Sequence, residues 1–192
     1  MPPLCEWRSR TDEMPKRKRI KMSTDKNQPQ VYVACLAAYN SGHLHGEWIT
    51  PKADKDELQE QIDKVLKSSP IKGAEEWAIH DYDSFPNLGE YPDLDKLIQV
   101  QEAIDEHGQN VVNAFLENWS VEDLDHINDA YFGEYDSFRE FAEQLADDTM
   151  LIDCPEHIKN YFDYEKWERD LSYDYHEGEG ENGTSIIFSC NW

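Results

Sequence analysis

Between Gly73 and Ile158 only two side chains, Lys96 and Arg139, are basic, whereas Asp and Glu supply 23 charges over the same 86 residues, a net of −21. Burying an unpaired carboxylate costs several kcal/mol, so a segment this acidic must fold with its charge on the outside. A DNA duplex carries one negative charge per about 1.7 Å of axis, so 21 charges match the phosphate content of about 36 Å of DNA. The charge alone implies a folded surface with the electrostatics of nucleic acid.

Composition separates this chain from an acidic disordered tail. Of its 192 residues 39% are hydrophobic and 12% aromatic, with six Trp, ten Tyr and seven Phe along the length, enough for a packed core. There is no run of 18 apolar residues and no apolar stretch near Met1, so a soluble, cytoplasmic protein is expected. Cys5, Cys35, Cys154 and Cys190 are far apart and lack C-x-x-C spacing, which reads as free, mostly buried thiols. A formal charge of −23 repels nucleic acid and anionic lipid, and it favours a partner with a positive cleft. An ordinary well-solvated acidic surface is the plainer alternative.

The pattern along the chain predicts an α+β protein in four parts. Residues 1–30, with Lys16-Arg17-Lys18-Arg19 and little apolar periodicity, read as a disordered basic tail. A sheet-and-helix domain is expected over 31–90: strands at Val31–Leu36, His43–Ile49 and Trp77–His80, and a helix through Leu58, Ile62, Val65 and Leu66 opened by Asp54. A central helical domain over 91–134 follows, with one stripe through Leu94, Leu97, Ile98, Gln101 and Ile104, another through Val111, Val112, Phe115 and Leu116, and a short helix capped by Ser120. The last domain, 135–192, has Ser137 to Glu140 as a capping box, helices from Pro155 and Asp163, and a hairpin whose long acidic loop is Glu177 to Gly183. Tyr131, Phe132, Tyr135, Tyr161, Phe162 and Trp167 fall mostly at core spacing, with some available to a dimer interface.

Surface helices usually interleave Glu with Lys at i+4, which steadies them. Here that is forgone. Asp81, Asp83, Glu90, Asp93, Asp95, Glu102, Asp105, Glu106, Glu117, Glu122, Asp123, Asp125, Asp129, Glu134, Asp136, Glu140, Glu143, Asp147 and Asp148 form a candidate phosphate-mimicking, target-binding ribbon. Other chemistry fits less well. Asp123, Asp125 and Asp129 superficially resemble a calcium loop, but its sixth place holds Asn128 instead of Gly. His43 and His45 share a strand face without further ligands, and His80-Asp81 point to opposite faces of a strand. No metal, cofactor or catalytic residue is therefore assigned. The open alternatives are a hydrolase using two of the 41 acids and an acidic sequestering or chaperone partner for basic proteins.

Several stretches carry a resemblance to a known family. These are Val31-Tyr32-Val33 with Tyr39-Asn40 and Gly46-Glu47-Trp48, Trp77 through Asp83, Gly133-Glu134 through Leu151, and Asn160 through Tyr164 with Arg169-Asp170-Leu171. The chain resembles the ArdA antirestriction proteins of plasmids and transposons. The resemblance implies an elongated, three-part α+β protein that dimerises, imitates bent DNA, and occupies the DNA-binding cleft of type I restriction-modification enzymes without catalysis. The basic first 30 residues and the acidic Glu177–Gly183 segment depart from the family pattern.

Overall fold

The computed structural model describes residues 28–52 and 54–192, which divide into two compact units, 28–127 and Asn128–Trp192. The expected basic tail and Cys5 lie, apart from residues 28–30, outside the described residues. The architecture is α+β, with one three-stranded antiparallel sheet in each unit.

In the first unit β1 (Gln30–Cys35), β2 (Gly46–Ile49) and β3 (Trp77–Asp83) form a sheet ordered β2-β1-β3. Val31 and Val33 alternate onto its buried face, against which α2 (Lys55–Lys67) sets Leu58, Ile62 and Val65, all fully buried. Asp54 opens α2 by accepting from the N–H groups of Asp56 and Glu57 at 2.8 and 3.1 Å. Before β2 comes a helical turn, α1 (Leu36–Asn40), where the sequence pattern suggests only strand and turn. His43 and His45 precede β2 instead of sharing a strand face, and His45 Nε2 bonds the Val65 carbonyl at 2.8 Å, near the end of α2.

His80 and Asp81 do not alternate as adjacent strand residues should. The register steps from Tyr32↔Asp81 to Val33↔Ile79, so His80 is the extra residue of a bulge. Strict alternation fails there, and His80 and Asp81 are both exposed. They still do not pair: Asp81 accepts from the Tyr82 N–H at 2.9 Å, while His80 packs edge-on to Tyr39 and lies 4.0 Å from Glu90.

Two helices follow, α3 (Leu94–His107) and α4 (Gln109–Leu116), separated by Gly108 at φ 86°, a conformation costly for any residue with a Cβ. Leu97, Val100 and Ile104 of the first and Val112 and Phe115 of the second are buried. Ser120 then opens a 3₁₀ turn, Val121–His126, its N–H and hydroxyl both donating to Asp123. The short α5 (Ile127–Ala130) leads into the second unit.

That unit pairs β4 (Tyr131–Tyr135), β5 (Tyr175–Glu179) and β6 (Ser185–Ser189) in the order β4-β6-β5. Its core gathers Phe132, Tyr135, Phe141, Ala142, Leu171 and Ile187, with the Phe141 ring 4.9 Å from Tyr175 and 5.2 Å from Phe132. Phe141 and Ala142 come from α6 (Phe138–Leu145), which Ser137 caps through the Glu140 N–H at 3.1 Å. Glu140 reaches back to the Asp136 N–H at 2.8 Å, one residue before the position a capping box uses.

A π turn, Ala146–Met150, extends α6, and α7 (Glu156–Lys159) and α8 (Tyr164–Leu171) follow as separate helices. Tyr161 is 86% exposed and so is not a core residue of the helix expected from Pro155, whereas Trp167 packs on the core and donates to the Ala142 carbonyl at 2.9 Å. The expected long acidic loop is shorter: Glu177, Gly178 and Glu179 pair with Ile187, Ile186 and Ser185, and the chain turns through Gly180 to Gly183, with Asn182 and Gly183 at positive φ. Cys35 is buried, while Cys154 and Cys190 are half-buried, and all three are free. No helix among the described residues is long and apolar enough to cross a membrane.

Candidate functional site

The acidic positions singled out in the sequence lie on the surface. All are exposed except Asp123 and Glu143, which are half-exposed. In the first unit acids outnumber bases 20 to 6 and in the second 17 to 4, so each unit is strongly negative by itself.

The carboxylates divide into those used by the fold and those left to solvent. Asp93 opens α3 by accepting from the Asp95 N–H at 3.0 Å, Asp123 closes on Ser120, and Glu140 holds the Asp136 N–H. Four acids are ion-paired: Asp95 with Lys55 at 2.7 Å, Glu122 with Lys96 at 2.6 Å, Glu143 with Arg139 at 2.9 Å and Asp147 with Lys159 at 3.6 Å. Asp83 accepts from the Ser84 hydroxyl, Asp105 from Gln101, and Glu134 from the Thr184 hydroxyl. Glu90 lies near His80 and Glu106 lies 3.8 Å from His107. Among the described residues no cation pairs with Glu102, Glu117, Asp125, Asp129, Asp136 or Asp148.

Position along the helices is more informative than number. A helix C-terminus is the negative end of its dipole and disfavours acids by about 0.3–1 kcal/mol each. Asp105 and Glu106 occupy the last turn of α3, Glu117 caps the end of α4, and Asp147 and Asp148 lie in the π turn that ends α6. By contrast α2 has Asp56 and Glu57 in its first turn, Lys64 and Lys67 in its last, and an Asp63–Lys67 pair at 3.6 Å. Helices α7 and α8 likewise carry an acid in the first turn and a base in the last, whereas α3, α4 and α6 place acids at their C-terminal ends.

The field of these acids reaches their neighbours. Lys96, hydrogen-bonded to Glu122, pulls that carboxyl down to about 2. Burial raises the phenol of Tyr131 to about 12, with Glu134 adding to it; burial also raises Tyr135, helped by Asp148 and Glu140. The Arg139 guanidinium is raised first by its bond to Glu143, and then by Glu168 and Glu165 of α8. Sequence reasoning left out those two acids of α8; the Asp163 cap, which accepts from the Lys166 N–H, was the signal that a helix would present them.

The metal alternatives meet specific obstacles. Asp123 Oδ2 already accepts from the Ser120 N–H and hydroxyl, and His45 Nε2 is engaged with the Val65 carbonyl.

No curated protein matches the chain. A family model described as antirestriction protein (ArdA) matches residues 31–185, a span holding both sheets up to the first residue of β6. That match covers most of the chain and places this protein in the ArdA antirestriction family.

Proposed function

We propose that the protein is a non-catalytic DNA mimic. Its exposed carboxylates stand in for phosphates and occupy the DNA-binding cleft of a type I restriction-modification enzyme, protecting incoming mobile DNA. The observation that carries this reading is the placement of acids at the C-termini of α3, α4 and α6, where they weaken the fold and so require another use. Excesses of 14 and 13 negative charges on the two units match about 24 and 22 Å of duplex. A homodimer would double that length, which suits the cleft of a large enzyme.

The mechanism is competition. Lysines and arginines that bind DNA phosphates bind these carboxylates instead; no bond is made or broken, and no cofactor enters. Inhibition is distributed, so neutralising one carboxylate weakens it in a graded way. A hydrolase would instead lose activity by orders of magnitude at one position. The test is displacement of labelled DNA from a purified type I enzyme at several salt concentrations, in the cytoplasmic range and below. Displacement that weakens as salt rises supports the reading; no displacement at low salt refutes it.

A further inference from the structure

Lys96 and Arg139, the two cations of the acidic stretch, sit where a helix least favours them. Lys96 is in the first turn of α3 and Arg139 is the second residue of α6, both at the positive end of the dipole. Each is half-exposed, with side chains 48% and 55% accessible, and each grips a carboxylate at 2.6 or 2.9 Å. The Arg139–Glu143 pair runs in the weaker order, with the cation N-terminal to the acid at i,i+4, and exposed pairs of this kind contribute little to stability. Around Arg139 stand Glu143 and, further off, Glu165 and Glu168. A cation so placed does little for its own helix and cancels charge on the surface around it.

We propose that Lys96 and Arg139 limit the affinity of the acidic surface: each masks a carboxylate, Glu122 or Glu143, that would otherwise serve the target. This inference rests on the DNA-mimic reading and refines it. It sets Glu122 and Glu143, masked by the two cations of the acidic stretch, apart from the other candidate carboxylates, and it makes the wild-type chain a weaker competitor than its acid content allows. Freeing a carboxylate and removing a positive charge both act in the same direction.

The experiment measures displacement of labelled DNA from a type I enzyme by the full chain and by Lys96→Gln, Arg139→Gln and the double variant, at low and moderate salt. Each single change is expected to tighten inhibition by about two- to fivefold at low salt, the double change more, with a steeper salt dependence. Arg139→Lys, which keeps the charge, should leave affinity near wild type. Circular dichroism and a melting curve identify any variant that loses its fold. Arg139→Gln carries the test if Lys96→Gln unfolds, because it breaks only a pair within one helix. Folded variants that bind equally well or more weakly than wild type overturn the inference and leave the mimic reading standing. Failure of the wild-type chain to displace DNA overturns both.

Discussion

Asp148→Asn is expected to stabilise the protein and impair it at the same time. Asp148 is exposed in the π turn that ends α6, with no cation paired to it among the described residues, so it meets the negative end of the helix dipole unrelieved. Removing a charge at a helix end changes stability by about 0.3–1 kcal/mol, and a chain of this size shifts its Tm by about 2–4 °C per kcal/mol, giving a rise of about 0.6–4 °C. Asp147 is the control. It makes an ion pair with Lys159 at 3.6 Å, worth about 0.2–1 kcal/mol, so Asp147→Asn loses about what it gains and leaves Tm unchanged. Asp148→Asn should weaken DNA displacement by about two- to fivefold at low salt, and Asp147→Asn, whose carboxylate is already paired with Lys159, by less. Scanning calorimetry with the displacement assay reads both effects. A stabilised Asp148→Asn chain that competes as well as wild type, or one that loses stability, refutes the claim that this carboxylate is kept for binding at the cost of the fold.

Other outcomes follow from the same reasoning. Asp54→Ala removes the N-cap of α2 and should cost about 1 kcal/mol while leaving inhibition by the folded protein intact, as a melting curve beside displacement would show. Added neutral salt should raise Tm by screening the −23 charge, and a salt-indifferent melting curve would mean the acids do not repel one another. The Glu122 carboxyl is held at about 2 by Lys96, so its share of stability is present above the ordinary carboxylate range and lost as pH falls through about 2. Carboxyl NMR titration should find that midpoint in the wild type and a higher one in Lys96→Gln, where the Glu122 backbone and Ser120 side-chain hydrogen bonds remain. Gly46→Ala would put a Cβ 2.5 Å from the Val33 carbonyl oxygen, so urea denaturation should show a loss of stability greater than 1 kcal/mol, in line with overpacked sites generally.

Legibility varied from element to element. The helix stripes through Leu58, Ile62 and Val65 and through Leu97 and Ile104 were readable because packing and periodicity agree there, and Asp54, Ser120, Ser137 and Asp163 were readable as caps. β4 was missed because Tyr131-Phe132-Gly133-Glu134-Tyr135 has a glycine in its middle and a register shift that breaks alternation. The hairpin is readable from the sequence, but its first strand lies later than Tyr173–Tyr175: Glu and Gly disfavour strands in general, and at the edge of a three-stranded sheet the ladder to β6 overrides that preference over Glu177–Glu179. The α1 turn was hidden inside an apolar run that continues β1. For the surface, composition revealed the acid but not its division: which carboxylates cap, which pair and which stay open depends on partners distant in sequence, such as Lys55 for Asp95 and Lys96 for Glu122. The stop at Gly108 and the stripe ending at Leu116 place acids at the ends of α3 and α4, against the helix dipole.

The most direct measurement of the central claim is an experimental structure of the protein bound to a type I restriction-modification enzyme. The account predicts that the carboxylates of α3 and of the α6 segment rest on the lysines and arginines that otherwise hold DNA phosphates, with Glu102 and Asp148 among them. Binding outside the DNA cleft, or through a face that leaves those carboxylates in solvent, would contradict it.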